Sequence, residues 1–90
     1  MQLDTTWGQA IRSAFGHQVR VIRAAQSVSQ EELALKCGLD RSYIGQVERG
    51  ERNLSLENIY RIAAGLGVPA KDLMSELEGS LDFHPVESLQ

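Results

Sequence analysis

A polar and basic segment in the middle of the chain carries the side chains with the clearest capacity for chemistry. Residues 39–53 read LDRSYIGQVERGERN, and Ile44 and Val47 stand three positions apart, the spacing of neighbours on one face of a helix. If that apolar face turns inward, projection at about 100° per residue directs a different set outward. This outward set consists of Ser42, Gly45, Gln46 and Arg49. It offers hydrogen-bond donors and acceptors with little bulk.

A helical face of this kind suits the major groove of double-stranded DNA, where side chains near the start of an inserted helix read base edges. Arg41 matches O6 and N7 of guanine, Gln46 matches adenine or a phosphate, and Ser42 matches either base. Gly45 would permit close approach of the helix to the duplex, at a cost of about 1 kcal/mol relative to alanine. The competing interpretation is an ordinary solvated helix face that reads nothing.

Residues around this helix are candidates for contact with the DNA backbone. Gln30 begins the preceding helix, where its amide and the N-terminal N–H groups could together hold a phosphate. Arg52 and Asn53 follow in a loop suited to backbone or flanking base contact, although a loop arginine is as often a solvated charge. Glu48 lies too near the apolar face to be stable unpaired, which predicts an arginine as its partner.

The elements that must position these residues are short helices with polar caps. Ser29 begins a capping box with Glu32, and Asp40 and Ser55 are further polar cap residues. Each of the three follows an apolar residue and has another apolar residue four positions later, which is the pattern that fixes the entry angle of a helix. These caps predict helices over 30–37, 41–49 and 56–66. The residues predicted to end these helices in a left-handed backbone conformation are Gly38, Gly50 and Gly67.

Two further helices are predicted at the ends of this set. An apolar stripe of Ile11, Phe15, Val19 and Ile22 predicts a first helix from about Trp7 to Gln26. A last helix should run from Pro69 or Ala70 to about Leu77. Because only Gly38 and Leu39 separate the second helix from the third, those two should form a helix-turn-helix unit. Strand-like alternation is lacking, so we expect an all-helical fold.

Composition limits the remaining classes of function. The chain has 90 residues, one cysteine, two histidines and a formal net charge of −3, which fits one small domain with neither a disulfide nor a metal-ligand cluster. Residues 1–71 contain nine Lys or Arg and seven Asp or Glu, whereas residues 72–90 contain five acids and no base. We expect a cytoplasmic protein that does not enter membranes, because the sequence has no long apolar run and no export signal. We expect no enzyme activity and no cofactor, because no catalytic arrangement is recognisable.

The segment from Ser29 to Leu73 resembles a known family. It reads SQEELALKCGLDRSYIGQVERGERNLSLENIYRIAAGLGVPAKDL and is similar to the phage-repressor (Cro/C1) type of helix-turn-helix domain, also called the Xre family. Within it, LDRSYI followed by ERGERNLSLENI most resembles the controller proteins of restriction-modification systems. The resemblance implies a five-helix all-α domain that binds a palindromic operator on double-stranded DNA as a homodimer.

The resemblance also implies roles for individual residues. The residues implied to contact bases are Arg41, Ser42 and Gln46. The residues implied to contact phosphates or flanking bases are Gln30, Tyr43, Arg49, Arg52 and Asn53. A buried ion pair is implied between Arg23 and Glu48. Activating relatives contact RNA polymerase at the position of Glu31, although most exposed glutamates have no such role.

We divide the chain into an N-terminal extension leading into the first helix (residues 1–14), a helix-turn-helix domain (15–78) and an acidic C-terminal tail (79–90). The tail reads as irregular, although its scattered apolar residues could pack on the body. One short helix neutralises few phosphates, so specific binding should require two copies about 34 Å apart. The expected dimer surface uses Val68, Met74 and Leu77, whose alternative role is core packing. The alternative function is an antitoxin or a protein-bridging adaptor built on the same fold.

Overall fold

The computed structural model describes residues 5–80, which form five α-helices and a short 3-10 turn. The helices are α1 (Thr5–Ala25), α2 (Gln30–Cys37), α3 (Arg41–Glu48), α4 (Leu56–Leu66) and α5 (Ala70–Leu73), and the turn spans Glu78–Ser80. No strand occurs within residues 5–80, so the predicted all-helical fold is confirmed. In this same range no helix combines the length and apolar character that crossing a membrane requires. Most of the predicted tail, from residue 81 onward, lies outside the described residues.

The first helix buries the predicted stripe. Phe15 and Val19 lie in the core, and Ile22 packs against it from a half-buried position. The helix ends through Ser27, which has a left-handed backbone with φ 58°. There the N–H of Val28 turns back to donate to the carbonyl of Arg23 at 3.2 Å. No glycine marks this end in the sequence, so the left-handed residue was not predicted.

Serine caps fix the starts of α2 and α4 as expected. The Ser29 hydroxyl accepts a hydrogen bond from the N–H of Glu32 at 3.0 Å, and the Glu32 carboxylate accepts from the N–H of Ser29 at 2.8 Å. This is the predicted capping box, and the hydrogen bond that the Glu32 carboxylate accepts from the N–H of Ser29 lowers the pKa of Glu32. The Ser55 hydroxyl accepts from the N–H of Asn58 at 3.1 Å.

Asp40 departs from the predicted capping pattern. Its backbone is extended, as a cap requires, but its side chain makes no capping hydrogen bond to α3. A reciprocal box is impossible here because the third residue of α3 is Tyr43, which has no carboxylate or amide to return to the Asp40 N–H. The start of α3 is therefore fixed by the joint that precedes it.

The joint between α2 and α3 is the turn of the helix-turn-helix unit. Gly38 adopts φ 70°, and the N–H of Leu39 donates to the carbonyl of Ala34 at 3.0 Å. A left-handed residue followed by this bond ends α2 and redirects the chain into α3 within three residues. Gly50 and Gly67 have φ 76° and 70°, so all three predicted left-handed glycines are confirmed.

One apolar core joins the helices. α2 packs against both α3 and α4, while α1 packs against α3. The fully buried core consists of Phe15, Val19, Leu33, Ala34, Cys37, Ile44, Val47, Ile62, Ala63, Leu66 and Leu73. Burial raises the pKa of the Cys37 thiol, so this cysteine is a core residue of low reactivity. Ile44 and Val47 of α3 belong to this core, so the polar side of α3 faces outward.

The last helix is shorter than predicted. The sequence indicated a helix to about Leu77, yet α5 ends at Leu73. The carbonyl of Asp72 would bond the N–H of Glu76 in a continuing helix, but it accepts from Gln18 Nε2 at 3.2 Å and from the Ser75 hydroxyl at 3.2 Å. These side-chain donors occupy the acceptor that the next turn needs, so the helix stops there.

Candidate nucleic-acid interface

The outer side of α3 presents the side chains that the sequence placed there. Arg41, Ser42 and Arg49 are exposed, and Gln46 is half-buried. The opposite side of the helix, with Ile44 and Val47, is buried as predicted. In the loop that follows, Arg52 and Asn53 are both exposed. We refer to Arg41, Ser42, Gln46, Arg49, Arg52 and Asn53 as the recognition surface.

Gly45 does not lie open on this surface, and the prediction of a bare, approachable backbone there is wrong. The residue is buried. A Cβ added to it would stand 3.2 Å from Arg49 Nη1 and 3.7 Å from Gln30 Oε1. A single-helix projection misses this because it does not show that the Arg49 side chain folds back over Gly45 or that Gln30 of α2 lies beside it. The glycine makes room for the side chains of Gln30 and Arg49 on the α2 side of α3.

A buried ion pair holds α3 to α1. Arg23 Nε donates to Glu48 Oε2 at 2.6 Å, and Arg23 Nη2 donates to Glu48 Oε1 at 2.9 Å. Only 3% of the Glu48 side chain and 16% of the Arg23 side chain are exposed. The hydrogen bond to Glu48 raises the pKa of Arg23. The pair implied for Arg23 and Glu48 is therefore present, and its fork geometry fixes the end of α3 against α1.

The same carboxylate orients the first residue of α2. Gln30 Nε2 donates to Glu48 Oε1 at 3.0 Å, so one N–H of the amide is held inside the protein. The first turn of α2 also carries Glu31 and Glu32, whose charge opposes an approaching anion. The predicted phosphate contact of Gln30 thus has only two donors left, its backbone N–H and its second amide N–H.

Tyr43 connects the recognition helix to α4 and to the loop. Its hydroxyl accepts from Asn58 Nδ2 at 3.1 Å. The Arg52 guanidinium lies over its ring, 4.8 Å from the centroid, at a cation–π distance. The contact with the Tyr43 ring therefore fixes the Arg52 side chain on the α4 side of α3. Its charge therefore stands beside α3.

Arg49 stands on the other side of the outer face and has an acidic partner. Its Nε donates to Glu51 Oε2 at 2.9 Å, and its Nη2 donates to Glu51 Oε1 at 3.2 Å. Hydrogen bonding between them raises the pKa of Arg49 and lowers the pKa of Glu51, so both stay charged. Glu51 was not among the predicted site residues, because its role depends on a turn that follows α3.

The residues predicted for dimer contact lie in the segment that follows α4. Val68, Met74 and Leu77 are each half-buried and pack against the core with one part of the side chain. Leu73, in the same segment, is fully buried. Each of the three therefore supports the core with one part of its side chain and leaves another part exposed, and the dimer contact stays a prediction.

Comparison with known proteins decides the family. The sequence profile of the helix-turn-helix family HTH_3 matches residues 19–73, which is more than half of the chain. The chain belongs to the Xre (Cro/C1) helix-turn-helix family. The first fourteen residues of the described part of α1 precede the matched range, whereas the Arg23–Glu48 pair, the joint and the recognition surface all lie within it.

Within this family, the chain is similar to restriction-modification controller proteins. It is 54% identical over 65 residues to the control protein C.BamHI of Bacillus amyloliquefaciens, covering 71% of this chain and 80% of the relative. The crystal structure of the controller protein C.AhdI from Aeromonas hydrophila superposes with a TM-score of 0.67 at 49% identity, over 68% of this chain and 92% of that one. The controller protein C.Esp1396I, solved as a tetramer with its natural 35 base-pair operator, gives a TM-score of 0.70 at 33% identity, over 78% of this chain and 92% of that one.

Proposed function

We propose that this protein is a sequence-specific transcription regulator that binds a palindromic operator on double-stranded DNA as a homodimer and acts on its own gene. The observation that carries the proposal is the recognition surface, which presents Arg41 and Ser42 at the exposed start of the second helix of a helix-turn-helix unit. The solved complex of the related C.Esp1396I with its operator supports the same class of ligand.

The recognition surface divides into residues that would contact bases and residues that would contact the phosphate backbone. Arg41, Ser42 and Gln46 would read base edges in the major groove, because the N-terminal part of such a helix reaches deepest. Arg52, with Tyr43 beneath it, and Arg49 stand on opposite sides of the helix and would contact the two flanking phosphate backbones. Asn53 would contact the backbone or a flanking base. Two copies of this surface would then read two half-sites related by symmetry.

Replacing Arg41 with alanine should weaken binding to the operator by about 1 to 3 kcal/mol and relax the base preference at one position in each half-site. Footprinting of the DNA upstream of the protein's own coding region would locate the operator. Affinities for that duplex and for single-base variants of it would then give the specificity profile. If Arg41→Ala weakened binding to all duplexes by the same factor, Arg41 would not read a base.

Arg52→Ala is the matched control for this experiment, because it removes the same charge from a residue proposed to hold phosphate. It should weaken operator and unrelated duplexes alike and reduce the slope of log affinity against log salt by about one per copy. The base preferences should stay those of the wild type. An Arg52→Ala variant with an unchanged salt slope would place Arg52 away from the phosphates.

Dimer formation is part of the proposal because a single short helix makes few contacts with a duplex. We assign the contact to Val68, Met74 and Leu77, which are half-buried apolar residues in the segment after α4. The acids of residues 72–90 follow the same end in sequence, and repulsion would keep them away from DNA in such a dimer.

Replacing Met74 with glutamate should convert the dimer to a monomer and lower operator affinity by at least about a hundredfold, since the two half-sites would no longer be bound together. Sedimentation velocity reports the mass, and thermal melting checks that the variant is folded. Leu35→Glu is the control, because Leu35 is 80% exposed on α2 and lies outside the proposed contact. If the Met74→Glu variant is folded and still dimeric, the dimer interface lies elsewhere on the protein.

A protein-bridging adaptor on this fold is the weaker alternative. An adaptor would be expected to carry acidic or apolar groups where this chain exposes Arg41, Ser42 and Arg49. An antitoxin function remains compatible with DNA binding, and the identity of the neighbouring genes would separate it from a restriction-modification controller.

A further inference from the structure

One acidic side chain, Glu51, is in direct contact with Arg49, a member of the recognition surface that is proposed to bind phosphate. Glu51 and Arg49 are 52% and 61% exposed, and two hydrogen bonds join the carboxylate to the guanidinium. No other ion pair between exposed side chains occurs in residues 5–80. The only other pair in that range is the buried Arg23–Glu48 pair, which serves the fold.

The position of the Arg49 guanidinium places Glu51 beside the proposed DNA contact. Arg49 Nη1 lies against the α2 side of the recognition helix, 3.2 Å from where a Cβ of Gly45 would stand. The carboxylate bound to the same guanidinium must lie within a few ångströms of that surface. A duplex strand that approached Arg49 would therefore bring its phosphates up to Glu51 as well.

A carboxylate and a phosphate compete for an arginine in the same way. Both accept two parallel hydrogen bonds from the guanidinium fork. The Arg49–Glu51 pair is exposed to solvent, so it is weak, screened by salt and open to exchange. A DNA phosphate can therefore compete with Glu51 for Arg49, but it must first break this pair.

We propose that Glu51 occupies Arg49 in the free protein as a substitute for a DNA phosphate and thereby lowers the affinity for every duplex, whatever its sequence. This inference rests on the proposed DNA-binding function and adds a residue that limits it. Binding would then depend more heavily on the base contacts of Arg41, Ser42 and Gln46, because one of the flanking cations is neutralised in advance. The chain's formal net charge of −3 has the same effect on a larger scale.

The test is a double-mutant cycle on Glu51 and Arg49. A mixed pool of random-sequence duplexes, labelled with a fluorophore, is titrated by anisotropy over a range of salt concentrations. Glu51→Gln should raise affinity about fivefold at low salt and steepen the salt dependence by about one ion per copy, because Arg49 is then free to release a counterion. In an Arg49→Gln background, the same Glu51→Gln change should alter affinity less than twofold. The coupling between the two substitutions is the measured quantity.

Glu78→Gln is the control for net charge, since Glu78 is exposed and has no ion-pair partner among the described residues. It should change affinity less than twofold. A gain from Glu51→Gln that persists without Arg49, or that Glu78→Gln matches, would overturn the inference in favour of general repulsion. A wild-type protein that binds the pool while Glu51→Gln brings no gain would overturn the inference and leave the proposed function standing. A wild-type protein that binds no duplex at low salt would overturn both.

Discussion

Replacing Gly16 with alanine is expected to destabilise the protein by about 3 kcal/mol or more, a large part of the stability of so small a domain. Gly16 lies where α1 crosses the end of α3. A Cβ there would stand 2.1 Å from the carbonyl oxygen of Val47 and 2.9 Å from that of Glu48. These are backbone atoms, so no rotamer change can relieve the contact, and the two helices must move apart.

Separation of the helices would loosen the core on both sides of the contact. Phe15 and Val19 on α1 and Val47 on α3 are buried close to this crossing. The gain of about 1 kcal/mol from a better helix former cannot offset the loss of that packing. Urea denaturation followed by circular dichroism measures the change. Because α3 carries the recognition surface, the variant should also lose DNA binding.

Gly79→Ala is the matched control, since a Cβ there meets nothing within 4 Å. It should change the free energy of unfolding by less than about 0.5 kcal/mol. If Gly16→Ala unfolded at the urea concentration of the wild type, α1 and α3 would not approach each other as closely as described.

The ends of the central helices could be predicted because the signals that set them are local. Ser29 and Ser55 form their caps, and Gly38 and Gly67 adopt the predicted left-handed backbone. The predicted ranges of α2 and α4 therefore agree with the structure. The end of α5 could not be predicted in this way, because one of the donors that stops it is Gln18 of α1, 54 residues away.

In the recognition surface too, local patterns were predictable from the sequence, whereas contacts with other helices were not. Periodicity along α3 correctly separated the buried Ile44 and Val47 from the exposed Arg41 and Ser42. It failed for Gly45, because the side chain of Arg49 folds back over that residue and Gln30 of α2 covers it from the neighbouring helix. The close crossing of α1 and α3 at Gly16 was also missed. A glycine inside a 21-residue helix was the available signal, since such a residue costs stability unless something needs the space.

The second large effect is expected at the Arg23–Glu48 pair, where the two single substitutions should differ. Arg23→Met should destabilise the protein by about 3 to 5 kcal/mol, because it leaves a carboxylate that is almost fully buried without its ionic partner. Glu48→Leu should cost less, about 1 to 3 kcal/mol, because 16% of the Arg23 side chain already reaches solvent and Arg23 Nη1 still donates to the carbonyl of Val28 at 2.9 Å.

The double variant Arg23→Met with Glu48→Leu is the decisive control. It removes both charges and fills the space with apolar groups, so it should recover most of the stability lost in Arg23→Met. Urea denaturation of all four proteins gives the coupling energy. The double variant also leaves the Gln30 amide without its carboxylate acceptor, so the side chain beside Gly45 becomes free to move. If the double variant is stable but binds the operator more weakly, Glu48 orients the α2 side of the recognition surface in addition to holding α3 to α1. Additive losses in the two single variants would instead mean that the two residues stabilise the fold separately.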